Sequence, residues 1–571
     1  MSKQQEISSF IWNVCDDVLR GLFKQHEYGD IILPFLVLRR LDCVLEPHKD
    51  KVYDLYTEYV GKVNDPTPII KNQLGLEFFN YSKYDLMRLK GDPKNIRMNL
   101  TNYLNGYSNN VYEIIENFGL EKLLERLDKN GRLYLFVDKF TEIDLHPHLV
   151  DNHMMGNIFE ELLRKFSEMS NETSGEHYTP RDIVHLLVSL LFSGDKEDLE
   201  GEGKIRSIYD CCSGTGGMLS IGKKWVKEYV NPDLEINLFG QELNPFTYSI
   251  CKSDMLITGE NPDNIKSGSS LSNDGYSGDK FDYLITNPPF GVDWKSEKEF
   301  IQNESQTQFG RFSVGTPRVS DGSLLFLQHL ISKMDERGSR IGIIFNGSPL
   351  FTGDSGSGES EIRRWIIESD WLECIVSLPD QLFFNTGIST YIWILSNKKK
   401  PHRKGKIQLI DGSQLYKPMR KSLGSKRKEI SDDDREQVTQ TYQNFEENEI
   451  CKIYPNEFFG YTKVVVEQPL LEDGKEVTDR KGNPKPDSKL REYERIPLTE
   501  DVDEYFQREV KPHLPDSWMD REKDKIGYEI NFTKYFYKYQ PPRSVKEITE
   551  EILQLERDSE GLMNKIVEVV K

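Results

Sequence analysis

The sequence lacks the segments of a membrane-spanning or exported protein. Its 571 residues contain no run of 18 or more apolar residues, which is the length a membrane-spanning helix requires. Residues 1–6 have neither the basic block nor the apolar block of a signal peptide. We therefore expect a cytoplasmic protein.

Cysteine is scarce and follows no metal-binding pattern. The chain has seven cysteines, an odd number, and none of them forms a Cys-x-x-Cys pair or lies near a cluster of histidines. This spacing supports neither a disulfide framework nor a zinc site, so no metal is expected. The thiols are predicted to be reduced and mostly buried.

Positive charge is also in deficit. The formal net charge of -20 argues against a protein that binds nucleic acid over its whole surface. Any contact with DNA therefore needs a local basic patch or a basic partner. The densest basic segments are residues 398–406 and 417–428, which could hold DNA phosphates or form solvated loops.

The composition is sufficient for a large core, and 37% of the residues are hydrophobic. The amino-terminal part is predicted to be helical, because Ile11, Val14, Val18 and Leu22 recur at spacings of three and four. Pro34, within the apolar stretch 31–38, suggests a buried helix start or a hinge.

From about residue 176 the pattern changes to short apolar segments that alternate with helices, which is typical of a parallel α/β sheet. The predicted strands are 204–209, 235–239, 281–286, 340–345, 373–378 and 389–395. We predict an amino-terminal helical domain at 1–150, a doubly wound Rossmann-like domain at 151–420 and a mixed region at 421–571.

The last region is predicted to end in a helix. Ser544 and Glu547 form a capping-box pattern, and the apolar residues of 545–569 recur at nearly 3.5-residue spacing. Such an apolar seam can fold back on its own domain or bind the helix of a partner.

A glycine-rich segment, residues 210–217, directly follows the first predicted strand, as in a loop that binds a nucleoside cofactor. The dinucleotide pattern Gly-x-Gly-x-x-Gly is absent, which disfavours NAD, and no phosphate-binding lysine follows, which disfavours ATP. Glu242 ends the next strand, where its carboxylate can accept hydrogen bonds from ribose hydroxyls.

The tetrapeptide Asn287, Pro288, Pro289 and Phe290 follows the third strand. The prolines stop the strand and leave carbonyl groups without a partner in the sheet. The Asn287 side-chain carbonyl and the Pro288 backbone carbonyl could accept the two N–H groups of a planar amino group, while Phe290 stacks on the ring that bears it. We predict that these four residues are catalytic and that methyl transfer from a sulfonium donor occurs here.

Together these motifs resemble the amino-group DNA methyltransferases, and more closely the modification subunit of type I restriction-modification systems. Residues 175–181 resemble that family's cofactor-methionine motif, in which Thr179 is predicted to cap a helix with Pro180 at its first position. The resemblance extends to residues 28–41, 378–388 and 527–532. The candidate cofactor-binding residues are Glu176, His177, Tyr178, Thr179, Pro180, Arg181, Asp210, Ser213, Gly214, Thr215, Gly216, Gly217 and Glu242.

The resemblance implies a Rossmann-like S-adenosylmethionine-dependent methyltransferase with a helical amino-terminal domain and a helical carboxy-terminal extension. It implies transfer of the methyl group to N6 of an adenine flipped out of double-stranded DNA. The implied partners are a specificity subunit that selects the sequence, with two modification subunits for each, and a restriction subunit in the full complex. The implied source is a bacterium or an archaeon.

One residue departs from the family pattern. At Ser269 the family usually has an acidic residue that contacts the adenine of the cofactor. We therefore expect Ser269 to contribute a hydrogen bond and backbone groups to contribute the rest of cofactor binding. Two other functions stay open: methylation of protein glutamine or an RNA base, which uses similar Asn-Pro-Pro-aromatic loops, and a catalytically silent assembly scaffold.

Overall fold

A computed structural model of the chain describes residues 3–169, 179–384, 386–472, 475–479, 481–537, 544 and 546–557. Met1–Ile530 form one compact unit and Asn531–Lys571 form a second. None of the helices in these ranges combines the length and the apolar character needed to cross a bilayer.

The first part of the chain is helical, as predicted. Its α-helices are α1 (Lys3–Val14), α2 (Tyr28–Leu45), α3 (Lys49–Tyr59), α4 (Thr67–Leu74), α5 (Leu86–Leu89), α6 (Ile96–Asn105), α7 (Asn109–Asn117), α8 (Leu120–Lys129), α9 (Leu133–Glu142) and α10 (Asn152–Met169). Most of them share one apolar core, to which Ile11, Val14 and Val18 contribute, whereas Val52 of α3 and Ile70 of α4 belong to a smaller separate cluster. The buried Arg40 donates to the carbonyls of Leu145 and Val150, which fastens α2 to the segment before α10.

Pro34 marks neither a helix start nor a break, so the prediction for the stretch 31–38 is wrong. This stretch lies in the middle of α2, and all of its residues are buried. The apolar side chains surround the helix on every side, so packing compensates for the backbone hydrogen bond that proline cannot donate.

A nine-stranded sheet follows, and the predicted strands agree with it to within a few residues. The strands of this part are β1 (Ile205–Asp210), β2 (Glu235–Glu242), β3 (Ile265–Ser267), β4 (Tyr283–Thr286), β5 (Arg340–Asn346), β6 (Leu372–Ser377), β7 (Thr390–Ser396), β8 (Lys406–Asp411), β9 (Lys417–Leu423), β10 (Lys426–Glu429) and β11 (Cys451–Pro455). The sheet order is β11-β8-β6-β7-β5-β4-β1-β2-β3, and β9 pairs with β10 in a separate hairpin.

The sheet is mixed, so the parallel sheet predicted from the alternating strands and helices is wrong in this respect. β7 lies between β5 and β6 and is antiparallel to both, and β11 is antiparallel to β8. The connection from β6 to β7 contains no helix among its described residues. A parallel connection normally needs a crossover helix, so the chain returns in the opposite direction.

Helices pack against this sheet. Those of the sheet region are α11 (Arg181–Ser193), α12 (Lys196–Leu199), α13 (Gly217–Tyr229), α14 (Pro245–Thr258), α15 (Lys298–Ser305), α16 (Ser323–Ser332), α17 (Ser348–Phe351), α18 (Gly358–Glu368) and α19 (Asp432–Asn444). α11 contacts β5, and α13 contacts β1 and β2. This packing places the amino-terminal end of α13 next to the carboxyl end of β1.

The end of the first unit is a smaller sheet. It is formed by β12 (Gly460–Glu467), β15 (Glu492–Pro497), β16 (Trp518–Met519) and β17 (Lys525–Tyr528), while β13 (Leu471–Glu472) pairs with β14 (Lys475–Glu476) and α20 spans Val502–Tyr505. The second unit contains α21 (Phe532–Phe536) and a helix at 546–557. Ser544 and Glu547 form the predicted capping box of that helix.

Candidate functional site

The candidate site lies where the strand order of the sheet reverses. From β1 the chain adds β2 and β3 on one side, and β4 and β5 on the other. In open α/β sheets such a reversal leaves a crevice outside the carboxyl ends of the strands, where ligands bind. The glycine-rich segment leaves β1 at this edge, and Asn287 follows β4 there.

Asp210 connects the two strand ends. Its Oδ1 accepts from the Thr286 hydroxyl at 2.7 Å and from the Cys212 backbone N–H at 3.0 Å, so one carboxylate oxygen holds both loops. Its other oxygen is buried and has no partner among the described residues. Burial raises the pKa of Asp210 from 3.8 to about 7, and the nearby Glu242 carboxylate adds to the shift.

We expect the wild type to lose stability between pH 5 and pH 8, and the Asp210→Asn variant to lose less. The folded wild type keeps a proton that the unfolded chain has lost between pH 4 and pH 7, so its stability falls as the pH rises through this range. The neutral amide does not titrate and keeps an oxygen for Thr286 and Cys212. Melting temperatures at both pH values measure the difference, and equal pH slopes for the two proteins would contradict it.

The glycine-rich loop adopts conformations that only glycine accepts readily. Gly214 and Gly216 have φ of 52° and 86°. A Cβ atom at Gly216 would lie 2.8 Å from the Cys251 Sγ of α14. The Ser213 backbone N–H donates to the Gln241 carbonyl at 3.0 Å, which holds the loop against β2.

Glu242 lies at the end of β2, as predicted, and braces the glycine loop. Its Oε2 accepts from the Gly214 backbone N–H and its Oε1 from the Asn244 backbone N–H, each at 2.8 Å. A carboxylate oxygen can accept more than one hydrogen bond, so both oxygens keep capacity for hydroxyl groups of a ligand. The predicted role at the ribose therefore stays compatible with this bracing role.

Asn287 presents an acceptor to which no described residue donates. Its amide Nδ2 donates to the Thr179 hydroxyl at 2.9 Å, which orients the side chain, and its Oδ1 is buried without a hydrogen bond among the described residues. An unsatisfied buried acceptor is costly in a folded protein and is expected where a ligand supplies the donor. The Thr179 hydroxyl does not cap α11. The helix begins at Arg181 after Pro180, so the predicted cap is wrong.

The two prolines and Phe290 form a rigid turn beside Asn287. Pro288 is buried, and its carbonyl accepts no hydrogen bond from any residue in the described ranges. The partly buried Phe290 packs edge-to-face on the buried Phe383, with ring centroids 5.5 Å apart and an interplanar angle of 84°. The contact fixes the orientation of a ring that is available for stacking.

A cavity of about 920 Å³ opens at this edge and is lined by predicted residues of both loops. Those that line it are Thr179, Arg181, Ser213, Gly214, Thr215, Gly217, Glu242, Asn287 and Pro289. Pro180, Asp210, Gly216, Pro288 and Phe290 are their neighbours in the chain but do not line it. Glu176, His177 and Tyr178 lie outside the described residues.

The cavity also has lining residues that belong to none of the predicted motifs. Leu271, Trp294, Glu297 and Phe326 belong to it. Glu297 accepts hydrogen bonds from the hydroxyls of Ser269 and Ser272. No motif points to Glu297, because it reaches the site from a loop that follows the Asn-Pro-Pro-Phe segment.

The two basic segments do not form one phosphate-binding patch. Lys399 and Arg403 are buried and pair with Asp370 at 2.7 Å and Glu373 at 3.1 Å. Lys426 is likewise buried and pairs with Asp182 at 2.9 Å. These residues serve the fold, so the prediction holds at most for exposed residues such as Arg420 and Arg427.

Four features of the site occur together: the reversed strand order, the glycine loop after β1, the acid at the end of β2 and the Asn-Pro-Pro-Phe turn after β4. They define a Rossmann-like methyltransferase that uses S-adenosylmethionine. The chain belongs to the N-6 DNA methylase family: residues 150–471, more than half of the chain, match the family described as N-6 DNA Methylase. Residues 7–140 match the family described as HsdM N-terminal domain.

Curated relatives carry consistent names. The type I restriction enzyme MjaIX methylase subunit of Methanocaldococcus jannaschii is 26% identical over 488 residues, which cover 82% of this chain and 82% of the relative. The type I restriction enzyme HindI methylase subunit of Haemophilus influenzae is 32% identical over 269 residues. The latter match spans 47% of this chain and 56% of the relative.

Solved structures show the same fold. A type I restriction-modification system methyltransferase subunit from Streptococcus thermophilus has a TM-score of 0.63 at 20% identity, covering 80% of this chain and 97% of that chain. A structure described as the basis of complex assembly and conformational transition of the type I system has a TM-score of 0.54 at 19% identity. That match covers 100% of this chain and 99% of the other.

Proposed function

We propose that the chain is the modification subunit of a type I restriction-modification complex. It transfers a methyl group from S-adenosylmethionine to N6 of an adenine flipped out of double-stranded DNA, in the cytoplasm of a bacterium or archaeon. The observation that carries the proposal is Asn287: it lines the same cavity as Glu242 and the glycine loop, and its buried Oδ1 has no hydrogen bond from any described residue.

The residues present fit the cofactor. The loop at 213–217 and Glu242 provide backbone groups and a carboxylate for a nucleoside, and the cavity has the size of a small-molecule site. When bound, S-adenosylmethionine supplies an activated methyl group on a sulfonium. The candidate cofactor residues at 176–181 would complete the site at its methionine end, as the family resemblance implies.

The chain's own groups prepare the nucleophile. The amino nitrogen of adenine is weakly nucleophilic because its lone pair is delocalised into the ring. The Asn287 Oδ1 and the Pro288 carbonyl accept its two N–H groups, which favours pyramidal geometry and returns the lone pair to nitrogen. Phe290, held by Phe383, stacks on the base and keeps it in place during transfer.

The proposed partners rest on the family resemblance and on the helix at 546–557. The helix at 546–557 exposes Ile548, Ile552 and Leu555 by 38%, 53% and 62%, so its apolar seam is available for a partner helix. We assign this seam to a specificity subunit that binds two copies of the chain, with a restriction subunit in the full complex. We propose that the chain has three domains, at 1–150, 151–420 and 421–571.

The other candidate functions have less support. Methylation of protein glutamine or of an RNA base does not account for the matched amino-terminal domain of residues 7–140. The silent scaffold rests on the departure at Ser269 and on the terminal helix, but Ser269 lies in a cavity with carboxylates and an oriented Asn287.

The test is base-resolved mapping of DNA methylation after the chain is co-expressed with a specificity subunit encoded beside it. The proposal expects N6-methyladenine at one recurrent sequence, and none when either subunit is omitted. Labelled methyl groups on RNA or protein with none on DNA would overturn it.

We also expect that Arg420→Ala and Arg427→Ala each weaken DNA binding by the complex. The hairpin β9-β10 is held to the loop at 381–384 through backbone bonds from Ser425 and Arg427, next to the Phe383 that supports Phe290. Both arginines are exposed there. Loss of a phosphate contact lowers the slope of log Kd against log salt by about one, whatever the DNA sequence.

A matched control for the hairpin is Arg337→Ala. Arg337 is also exposed but precedes β5, at the opposite edge of the sheet from the cavity. Fluorescence anisotropy with a labelled duplex at several salt concentrations measures the slopes. The same slope in all three variants as in the wild type would refute a DNA contact by the hairpin.

A further inference from the structure

Glu297 lines the cavity, and one of its two carboxylate oxygens is held by hydrogen bonds. Glu297 ends a short helical turn, Lys295–Glu297, and lines the cavity. Its Oε1 accepts from the Ser269 hydroxyl and, at 2.8 Å, from the Ser272 hydroxyl. Its Oε2 has no hydrogen bond within the described part of the chain.

The cavity that Glu297 lines contains apolar and aromatic side chains as well as polar ones. Leu271, Trp294 and Phe326 line the cavity with Glu297. Leu271 and Trp294 are 2% and 3% exposed and belong to a separate apolar cluster. These apolar side chains suit the face of a planar base, and the second oxygen of Glu297 suits an N–H donor on its edge, while Asp293 and Ser296 line the same cavity.

Ser269 and Glu297 form a complementary pair. Serine is small and donates its hydroxyl, so it leaves room for the Glu297 side chain and orients it. An acidic residue at position 269 would instead place a second negative charge against Glu297, which is unfavourable at this distance. The serine and the glutamate therefore act as a unit, with the negative charge carried by Glu297.

We propose that Glu297 is the specificity-determining residue for the cofactor's base, and that its carboxylate accepts the 6-amino group of adenine. The inference rests on the proposed function, because it requires S-adenosylmethionine in this cavity. An ionised carboxylate can only accept hydrogen bonds, so it favours adenine, which has an amino donor at C6. It rejects hypoxanthine, which has a carbonyl oxygen at that position.

The test compares two ligands by isothermal titration calorimetry with the full chain. The ligands are S-adenosylhomocysteine and S-inosylhomocysteine, which differ at C6 and N1 of the base. We expect the wild type to prefer the adenosyl compound by a factor of about ten or more, as for other hydrogen bonds to a charged group. Glu297→Gln should lower that preference at least tenfold, since its amide can turn a donor toward the base.

The ratio of the two affinities separates recognition of the base from bracing of the loop. Glu297→Gln keeps an oxygen for Ser269 and Ser272, and a loosened loop would weaken both ligands alike. Glu299→Gln is the matched control, because Glu299 is exposed on α15 and does not line the cavity. This control should keep the wild-type ratio.

A reciprocal variant adds a gain of function. Ser269→Asp combined with Glu297→Ser moves the acid to the other member of the pair and should restore most of the preference for adenosine. If Glu297→Gln binds S-adenosylhomocysteine and keeps the wild-type ratio of the two affinities, this inference is overturned and the proposed function is not. Failure of the wild type to bind S-adenosylhomocysteine would overturn the proposed function as well.

Discussion

Asn287→Ala is expected to lower the rate of methyl transfer by a factor of about 10²–10³ or more, as when one preorganised polar group that stabilises a transition state is removed. The alanine lacks the buried Oδ1 that would accept an adenine N–H. Cofactor affinity should change by less than about threefold, because the amide's only hydrogen bond in the described structure goes to the Thr179 hydroxyl. Single-turnover methylation and calorimetry measure the two effects separately.

Thr179→Val is the control for Asn287. It removes the hydroxyl that accepts from Nδ2 but leaves the acceptor in place, so the rate should fall by a smaller factor, about tenfold. Asn287→Ala with full activity would exclude the proposed acceptor. Equal losses in both variants would mean that orientation by Thr179 matters more than the acceptor itself.

Six of the nine strands of the large sheet could be predicted because they depend on local patterns. The six predicted strands are all present, and the turn from β1 into α13 required glycine at Gly216, where φ is positive. The direction of β7 could not be predicted in this way. Alternation of side chains is the same in parallel and antiparallel strands, and the direction depends on pairing with β5 and β6.

The residues of the site divide in the same way: some are identified by a local sequence motif, and others reach the site only through the tertiary fold. Asn287 and Glu242 stand at strand ends and could be found from their motifs, whereas Glu297 enters through a tertiary contact with Ser269. Runs of basic residues in the sequence were the poorest guide to which side chains are exposed. Lys399 and Lys426 look like solvated basic residues in the sequence, yet each is buried against a carboxylate that lies distant in the chain.

Gly216→Ala is expected to destabilise the cofactor loop and to weaken S-adenosylmethionine binding by more than tenfold. The substitution places a side chain on a residue with φ of 86° and a Cβ 2.8 Å from the Cys251 Sγ. Backbone strain and overpacking together cost about 2–4 kcal/mol. Movement of the loop away from α14 would relieve the contact with Cys251 but would displace Ser213 and Gly214 from the positions in which β2 and Glu242 hold them.

Gly278→Ala isolates the contribution of the backbone conformation. Gly278 has nearly the same φ, 87°, but is exposed, and a Cβ there meets nothing within 4 Å. This control should cost about 1 kcal/mol and leave cofactor affinity unchanged. Melting temperatures with and without S-adenosylmethionine then report both properties. If both variants keep the full ligand-induced rise in melting temperature, Gly216 does not position the cofactor loop, since a displaced loop would lose the binding energy that produces that rise.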